Sequence, residues 1–265
     1  MTSLIASRPG TAPNIVADTD DNLAVALTNV SVYYTTPVER VPTLKEHILR
    51  RIIGHRTQYR EHWALRNVSL RVNRGEAIGI IGNNGAGKST LLKVVARIIT
   101  PRTGRVQVRG SMLPLLQLGA GFNNELTGRE NIFLYGSILG ESRAAMRARM
   151  KSIIDFSELG EYIDSPLRTY SSGMRIRLGF AIASSLEPDI LLVDEVLAVG
   201  DMAFQQKCRV RINEFRQSGC TILFVSHAMA TIREICTTGA WIDRGELRLH
   251  GPVDEVIQAY EQQQR

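Results

Sequence analysis

The strongest constraint in the sequence is an apolar run that leads directly into a glycine-rich loop and then into a helical pattern. Glu76–Ile81 (EAIGII) is typical of a short buried strand. Gly82–Ser89 (GNNGAGKS) follows and matches the spacing GxxxxGK[ST] in full. Leu91–Ile99 (LLKVVARII) then has helical composition. Because other strand and helix patterns alternate along the chain, we predict an α/β fold with a largely parallel sheet.

The loop carries the residue types that bind the phosphates of a nucleotide. Its glycines let backbone N–H groups turn toward an anion, and the helix that begins near Lys88 adds the positive end of its dipole. Lys88 would place its ammonium on the β- and γ-phosphates, and Ser89 would offer a hydroxyl to Mg²⁺. We therefore predict a site for nucleotide phosphates and Mg²⁺ formed by Gly82, Asn83, Asn84, Gly85, Ala86, Gly87, Lys88, Ser89 and Thr90.

Polar side chains follow two further apolar runs, at the point where each predicted strand ends. Asp194 and Glu195 close DILLVDE, and His227 follows TILFVS. Open α/β sheets bind ligands at the carboxyl ends of their strands, so these side chains are expected beside the phosphate loop. We expect Asp194 to hold Mg²⁺ through water, Glu195 to polarise the attacking water, and His227 to hydrogen-bond the γ-phosphate.

Gln117 lies among glycines in LPLLQLGAG, after a strand-like segment. Its amide is predicted to contact either Mg²⁺ or the attacking water. The predicted catalytic residues are therefore Glu195, His227, Lys88 and Gln117, and the predicted metal ligands are Ser89, Asp194 and Gln117.

A second helix N-terminus is predicted within Thr169–Ala181 (TYSSGMRIRLGFA). Ser171 and Ser172 are favourable N-cap residues, and Met174 and Leu178 begin an apolar face at helical spacing. The start of this helix therefore exposes unpaired backbone N–H groups and a partial positive charge.

Together these motifs resemble an ATP-binding-cassette (ABC) ATPase, over roughly residue 23 to the C-terminus. The resemblance is carried by GNNGAGKST, YSSGM, DILLVDE, AVGD at Ala198–Asp201, and His227. It implies an α/β P-loop NTPase with a RecA-like core, an antiparallel β subdomain and an inserted helical subdomain. It also implies hydrolysis of ATP with Mg²⁺.

In that family the helix after the small-residue turn faces ATP bound to a second copy. The resemblance therefore implies a head-to-tail dimer in which Ser171, Ser172 and Gly173 bind the partner's nucleotide. The family motif is Leu-Ser-Gly-Gly-Gln, so Ser172 replaces a glycine and Met174 replaces the glutamine. Asp201 would communicate across the interface.

An aromatic residue ahead of the phosphate loop stacks on adenine in this family. Tyr34 is the predicted residue, and Tyr33 is the alternative. Both lie in Leu23–Tyr34, which has the composition of one or two strands.

The same sequence patterns predict the boundaries of the domain and of the segments within it. Residues 1–22 are expected to be a flexible tail, and residues 23–265 to form the ABC ATPase domain. Within it, 43–56 (TLKEHILRRIIGHR) is expected to be a basic amphipathic helix, about 112–186 the Gln117 loop and helical subdomain, and 253–265 a C-terminal helix. Strands are also expected over Val68–Val72, and over Arg105–Arg109 after a turn at Arg102–Gly104.

Longer stretches resemble one branch of the family, the ATPase subunits that export lipid-linked cell-surface polysaccharides. These are LLQLGAGFNNELTGRENI, TYSSGMRIRLGFA, PDILLVDEVLAVGDMAFQQKC and VSHAMA. The resemblance implies a separate transmembrane permease, a lipid-linked glycan as cargo, and a peripheral location at the cytoplasmic face of the cell membrane. Some members have a C-terminal carbohydrate-binding domain, which is not expected here because the sequence ends at Arg265.

Composition leaves some alternatives open. The net charge of +6 fits solvated Lys and Arg, an anionic membrane face or nucleic acid, but no aromatic-basic interleaving indicates nucleic-acid binding. The three cysteines have neither disulfide nor zinc-ligand spacing. An exporter of a drug or simple lipid, a soluble ABC ATPase and a non-hydrolysing regulatory cassette are the competing hypotheses.

Overall fold

The computed structural model describes residues 21–37, 59–116, 118–194 and 201–264. The basic helix predicted over 43–56 lies outside the described residues, as do nearly all of the predicted tail and both Gln117 and Glu195.

Within those residues the chain forms two sheets. The strands are β1 (Leu23–Pro37), β2 (Tyr59–Asn73), β3 (Ala77–Ile81), β4 (Thr103–Val108), β5 (Met112–Pro114), β6 (Ile190–Asp194), β7 (Thr221–Val225), β8 (Thr238–Asp243) and β9 (Glu246–Pro252). An antiparallel sheet has the order β2-β1-β4, and a second sheet has the order β5-β6-β7-β3-β8-β9. The second sheet is parallel except for the β8–β9 hairpin.

Helices cover the second sheet and form an insertion between β5 and β6. They are α1 (Lys88–Val95), α2 (Gly128–Ile138), α3 (Arg143–Ser157), α4 (Ser172–Ser184), α5 (Met202–Gln217), α6 (Met229–Ile235) and α7 (Val253–Gln263). The inserted helices α2, α3 and α4 pack on one another. This arrangement confirms the predicted fold class. In the described ranges no helix combines the length and apolarity needed to cross a membrane.

Alternate side chains of β3 enter two separate hydrophobic clusters. Ile78 and Ile80 pack with the antiparallel sheet and α1, whereas Ala77 and Ile81 belong to the cluster that includes α4, α5 and α7. The central strand is thus buried on both faces, which explains its uninterrupted apolar run. The phosphate loop begins where this rigid strand ends.

The antiparallel sheet is longer than the sequence pattern predicts. β1 is one continuous strand, with several irregularities in its pairing with β2 between Leu23 and Tyr33. β2 begins at Tyr59, well before the predicted start at Val68, because its first half pairs with the end of β1. The turn predicted at 102–104 is wrong in part, since Thr103 already pairs with Ser31.

Candidate nucleotide-binding site

A cavity of about 500 Å³ opens where β3 ends and the phosphate loop turns into α1. It brings together predicted residues from four parts of the chain: Tyr34, Asn84, Gly85, Gly87, Lys88, Ser89, Thr90, Asp194 and His227. His62 and Ala64 also line it, although sequence reasoning did not select them. Gly82, Asn83 and Ala86 shape the loop instead.

Two glycines let the loop lie directly against neighbouring backbone. Gly82 has φ 152°, and a Cβ there would fall 2.1 Å from the carbonyl oxygen of Ile242 in β8. Gly87 has φ 112°, and a Cβ there would fall 2.4 Å from the carbonyl oxygen of Ala64 in β2. Any larger residue would push the loop away from both strands, so these glycines preserve the cradle's shape.

Lys88 is the first residue of α1, and only 6% of it is exposed. Its Nζ donates hydrogen bonds to the carbonyl oxygens of Gly82 at 2.8 Å and Asn83 at 3.0 Å. A buried ammonium requires such partners because desolvation disfavours its charge. The two carbonyls hold the positive charge inside the concave loop, where a phosphate would bind.

The structure distinguishes the two candidate tyrosines. Tyr34 pairs in register with His62, lines the cavity and places its Oη 3.4 Å from Oγ1 of Thr90. Tyr33 packs instead against Trp63, with ring centroids 5.1 Å apart, and the guanidinium of Arg102 lies 5.6 Å from the Tyr33 ring. Alternation along β1 therefore puts only Tyr34 on the cavity side.

Parallel pairing brings the two strand-end groups together. Asp194, the last residue of β6, pairs in register with Val225, the last residue of β7. His227 follows two residues later, and both Asp194 and His227 line the cavity as predicted. Glu195 directly follows Asp194 but lies outside the described residues, as does Gln117.

The turn before α4 lies in a different place. Ser171 is the N-cap of α4, and its Oγ accepts a hydrogen bond from the backbone N–H of Met174 at 3.2 Å. Ser171 and Gly173 line a second cavity, of about 380 Å³. Among the described residues the two cavities share no lining residue. The turn and the phosphate loop therefore line different cavities of the chain.

The second cavity is bordered by an ion-pair network centred on Arg177 of α4. Its guanidinium pairs with Asp201 and, at 2.9 Å, with Glu158. Lys207 also pairs with Glu158, at 3.0 Å. Asp201 is the N-cap of α5, where its side chain accepts from the N–H of Phe204. The network ties α4 to the first turn of α5.

Tyr170, the residue before Ser171, fixes the same turn to the inserted helices. It is 5% exposed, and its Oη donates to the carbonyl oxygen of Tyr162 at 2.5 Å. Burial raises the pKa of Tyr170 to about 12, so the hydroxyl keeps its proton well into the alkaline range. The turn is thus fixed to the helical insertion while Ser171 and Ser172 remain exposed.

A family model described as ABC transporter matches residues 65–198. The chain belongs to the ABC transporter family. It is an ABC ATPase.

Relatives of this ABC ATPase carry export names. The O-antigen export system ATP-binding protein RfbB of Klebsiella pneumoniae is 51% identical over 203 residues, covering 77% of this chain and 82% of the relative. A Myxococcus xanthus protein of the same name is 49% identical over 221 residues, covering 82% of this chain and 50% of the relative. The teichoic acids export ATP-binding protein TagH of Lactococcus lactis is 42% identical over 231 residues, covering 86% of this chain and 49% of the relative.

Solved ABC structures share the fold. An ATP-binding subunit of an ABC transporter superposes with a TM-score of 0.70 at 22% identity, covering 90% of this chain and 93% of that one. A dimeric post-hydrolysis state of the cassette MJ0796, bound to ADP and Pi, superposes with a TM-score of 0.67 at 22% identity, covering 86% and 98%.

The ABC ATPase has a donor set suited to a hard cation that is shared with phosphates. Among the described residues no group of three or more His, Cys, Asp or Glu side chains is placed to hold a metal. The three cysteines are buried and form no disulfide, and burial raises the pKa of each thiol to about 12. At neutral pH they are therefore thiols and not the thiolates that bind metals. Ser89 and Asp194 supply hydroxyl and carboxylate oxygens, and Mg²⁺ typically takes one or two protein ligands beside phosphate and water.

Among the site residues that the sequence analysis did not select, His62 and Arg177 escaped it for different reasons. His62 reaches the cavity only because β2 pairs with β1 at Tyr34, and no local pattern reveals that register. Arg177, in contrast, had a detectable signal. It lies four residues after Gly173, so the two share one face of α4.

Proposed function

We propose that this ABC ATPase closes head-to-tail on a second copy around Mg²⁺-ATP and powers export of a lipid-linked polysaccharide through a separate transmembrane permease. One observation carries the proposal: the phosphate cavity and the turn at Ser171 are both accessible but lie in separate cavities of one chain. Each is an incomplete nucleotide site, and a second copy supplies the missing half.

Residues of the phosphate cavity would act on ATP as follows. Lys88 binds the β- and γ-phosphates from within the loop, and backbone N–H groups at the start of α1 add their dipole. Ser89 and Asp194 would hold Mg²⁺, which neutralises charge on the phosphates when bound. Glu195 polarises the attacking water, and His227 hydrogen-bonds the γ-phosphate. Gln117 contacts the metal or that water.

Tyr34 would stack on the adenine, since it is 40% exposed at the cavity edge. Stacking of a base on an aromatic side chain contributes about 1–3 kcal/mol in single-strand nucleic-acid complexes. His62, directly opposite Tyr34, would border the same base. Replacing Tyr34 with alanine should therefore weaken ATP binding without removing the phosphate contacts.

The partner's turn at Ser171, Ser172 and Gly173 would complete the site. The N-terminus of α4 presents N–H groups and the positive end of its dipole to the γ-phosphate. Ser172 carries a Cβ where the family motif has glycine, but its exposed position leaves room for the approach of an anion.

Relatives, rather than the geometry, support the proposed cargo and location. Proteins named for O-antigen and teichoic acid export are 51% and 42% identical to this chain. We therefore assign the cargo to lipid-linked glycans, the permease to the same export system, and the location to the cytoplasmic face of the cell membrane.

The catalytic half of the proposal is tested with Glu195→Gln. The variant should bind ATP and form an ATP-dependent dimer, because the amide preserves size, yet should release phosphate about 100-fold more slowly without a base. Size-exclusion chromatography with light scattering measures the dimer. A variant that hydrolyses ATP at the wild-type rate would contradict the role of Glu195.

The transport half is tested by depletion in the producing organism. Lipid-linked glycan should accumulate at the cytoplasmic leaflet, and wild-type protein but not Glu195→Gln should clear it. If depleting the protein left the surface glycan normal and caused another lipid to accumulate, the result would instead favour the competing hypothesis, an exporter of a simple lipid.

A further inference from the structure

Two side chains at the end of α7 converge on one acceptor in the phosphate loop. Tyr260 Oη donates to Oδ1 of Asn83 at 2.8 Å, and Gln264 Nε2 donates to the same oxygen at 2.9 Å. A carbonyl oxygen of an amide has two lone pairs, so the two donors can occupy it fully. The loop is therefore bound to a helix that lies 177 and 181 residues further along the chain.

The helix that supplies these donors is itself fixed in the core. Val256 and Ile257 of α7 are fully buried. The ring of Tyr260 packs edge-on against Trp241, with centroids 5.9 Å apart. Trp241 pairs in register with Ile81, the residue immediately before the loop. The contact thus runs from an anchored platform to the beginning of the loop.

Asn83 lies between that platform and the lysine of the site. The carbonyl oxygen of Asn83 accepts from Lys88 Nζ at 3.0 Å and from the backbone N–H of Ala86 at 3.1 Å. The side chain of Asn83 holds α7 while its backbone holds the ammonium. A shift of Asn83 would therefore move one of the carbonyls that place the charge of Lys88 in the cradle.

We propose that Tyr260 and Gln264 are positioning residues that preorganise the phosphate loop through Asn83 and so raise its affinity for nucleotide. Holding a loop in its binding conformation removes part of the entropy cost of binding. The inference rests on the proposed function in one respect, because it requires nucleotide phosphates to bind at Lys88.

The test compares Tyr260→Phe, Gln264→Ala and the double variant in the full chain. Each single change removes one donor, and Tyr260→Phe keeps the ring against Trp241. Loss of one hydrogen bond should raise the Kd for ATP about threefold, and loss of both about tenfold. The effect should fall on Kd and KM rather than on kcat. Gln263→Ala is the matched control, since Gln263 is an exposed neighbour on the same helix.

A double-mutant cycle with Asn83→Ala identifies the route of the effect. In that background Tyr260→Phe should change the Kd no further, because its acceptor is gone. An unchanged Kd for ATP in the Tyr260→Phe, Gln264→Ala double variant would overturn the inference, whether or not its melting temperature falls. The inference would also be overturned if Tyr260→Phe weakened ATP binding as much in the Asn83→Ala background as in the wild-type chain. Failure of the wild-type chain to bind ATP would overturn the proposed function instead.

Discussion

The phosphate loop and the turn at Ser171 both present the N-terminus of a helix, but the chain holds them in different ways. In the loop the lysine is enclosed: Lys88 is 6% exposed, and two of its partners are carbonyls of the loop itself. Glycines press this loop against the backbone of β2 and β8. The turn is open: Ser171 and Ser172 are exposed, and ion pairs that are partly solvated surround it.

This difference assigns a different task to each region. A loop whose lysine is already held in place can bind an anion without rearrangement, so it forms the primary binding site. An exposed turn gains most of its electrostatic strength only when water is excluded, which requires another surface. The comparison therefore predicts that changes in the loop weaken nucleotide binding, whereas changes at the turn spare binding and reduce hydrolysis.

The largest effect is expected from Lys88→Ala. Loss of the ammonium at the phosphates should lower ATP turnover by about 100-fold or more and weaken nucleotide binding as well. Steady-state phosphate release and equilibrium nucleotide titration measure the two effects. Lys93→Ala, on the same helix, is the control. Tight ATP binding by Lys88→Ala would break the comparison.

A somewhat smaller effect is expected from Gly173→Asp. The new carboxylate would face the partner's γ-phosphate, and like charges at an interface are strongly unfavourable, so turnover should fall about 30-fold. The Kd for ATP in the separate chain should stay unchanged, because the turn lies in another cavity. Light scattering should show loss of the ATP-dependent dimer. A weaker Kd with an intact dimer would mean that the turn serves its own chain's nucleotide.

A moderate effect is expected at Asp201, which stabilises the region around the turn through its ion pair with Arg177 and its N-cap of α5. Asp201→Asn keeps an N-cap acceptor for Phe204 but loses the pair with Arg177, and should lower the free energy of unfolding by about 0.5 kcal/mol. Asp201→Ala loses both and should lower it by about 1.5 kcal/mol. Urea unfolding of the two variants measures the difference. Equal losses would show that capping by the side chain contributes nothing.

The smallest effect is expected on the pH dependence of stability, through the ion pair between Arg129 and Asp164. The hydrogen bonds from Arg129 hold the pKa of Asp164 below its ordinary value, so their contribution is present at neutral pH and is lost as pH falls through that lowered pKa. Both side chains are exposed, so salt should weaken the pair. The difference in unfolding free energy between wild type and Arg129→Gln should shrink toward acid pH. A difference that grows toward acid would contradict this prediction.

Much of the fold and of the phosphate cavity could be predicted, because their signals are local. The GxxxxGK[ST] spacing fixes the positions of the glycines, Lys88 and Ser89 within the phosphate loop. Strand-end positions likewise predicted that Asp194 and His227 would meet, and the cavity brings them together. In contrast, the first half of β2 has a polar, mixed composition and became a strand only through pairing with β1.

The sequence by itself determined the elements whose conformation depends on neighbouring residues: the loop that only glycine permits, the cap at Ser171, and the apolar strands. Only the tertiary structure decided which distant groups share a surface. It selected Tyr34 over Tyr33, added His62, separated the turn from the loop and joined α7 to Asn83. The physical reason is that short-range backbone sterics are set by a few adjacent residues, whereas strand register and helix docking depend on packing between segments far apart in the chain.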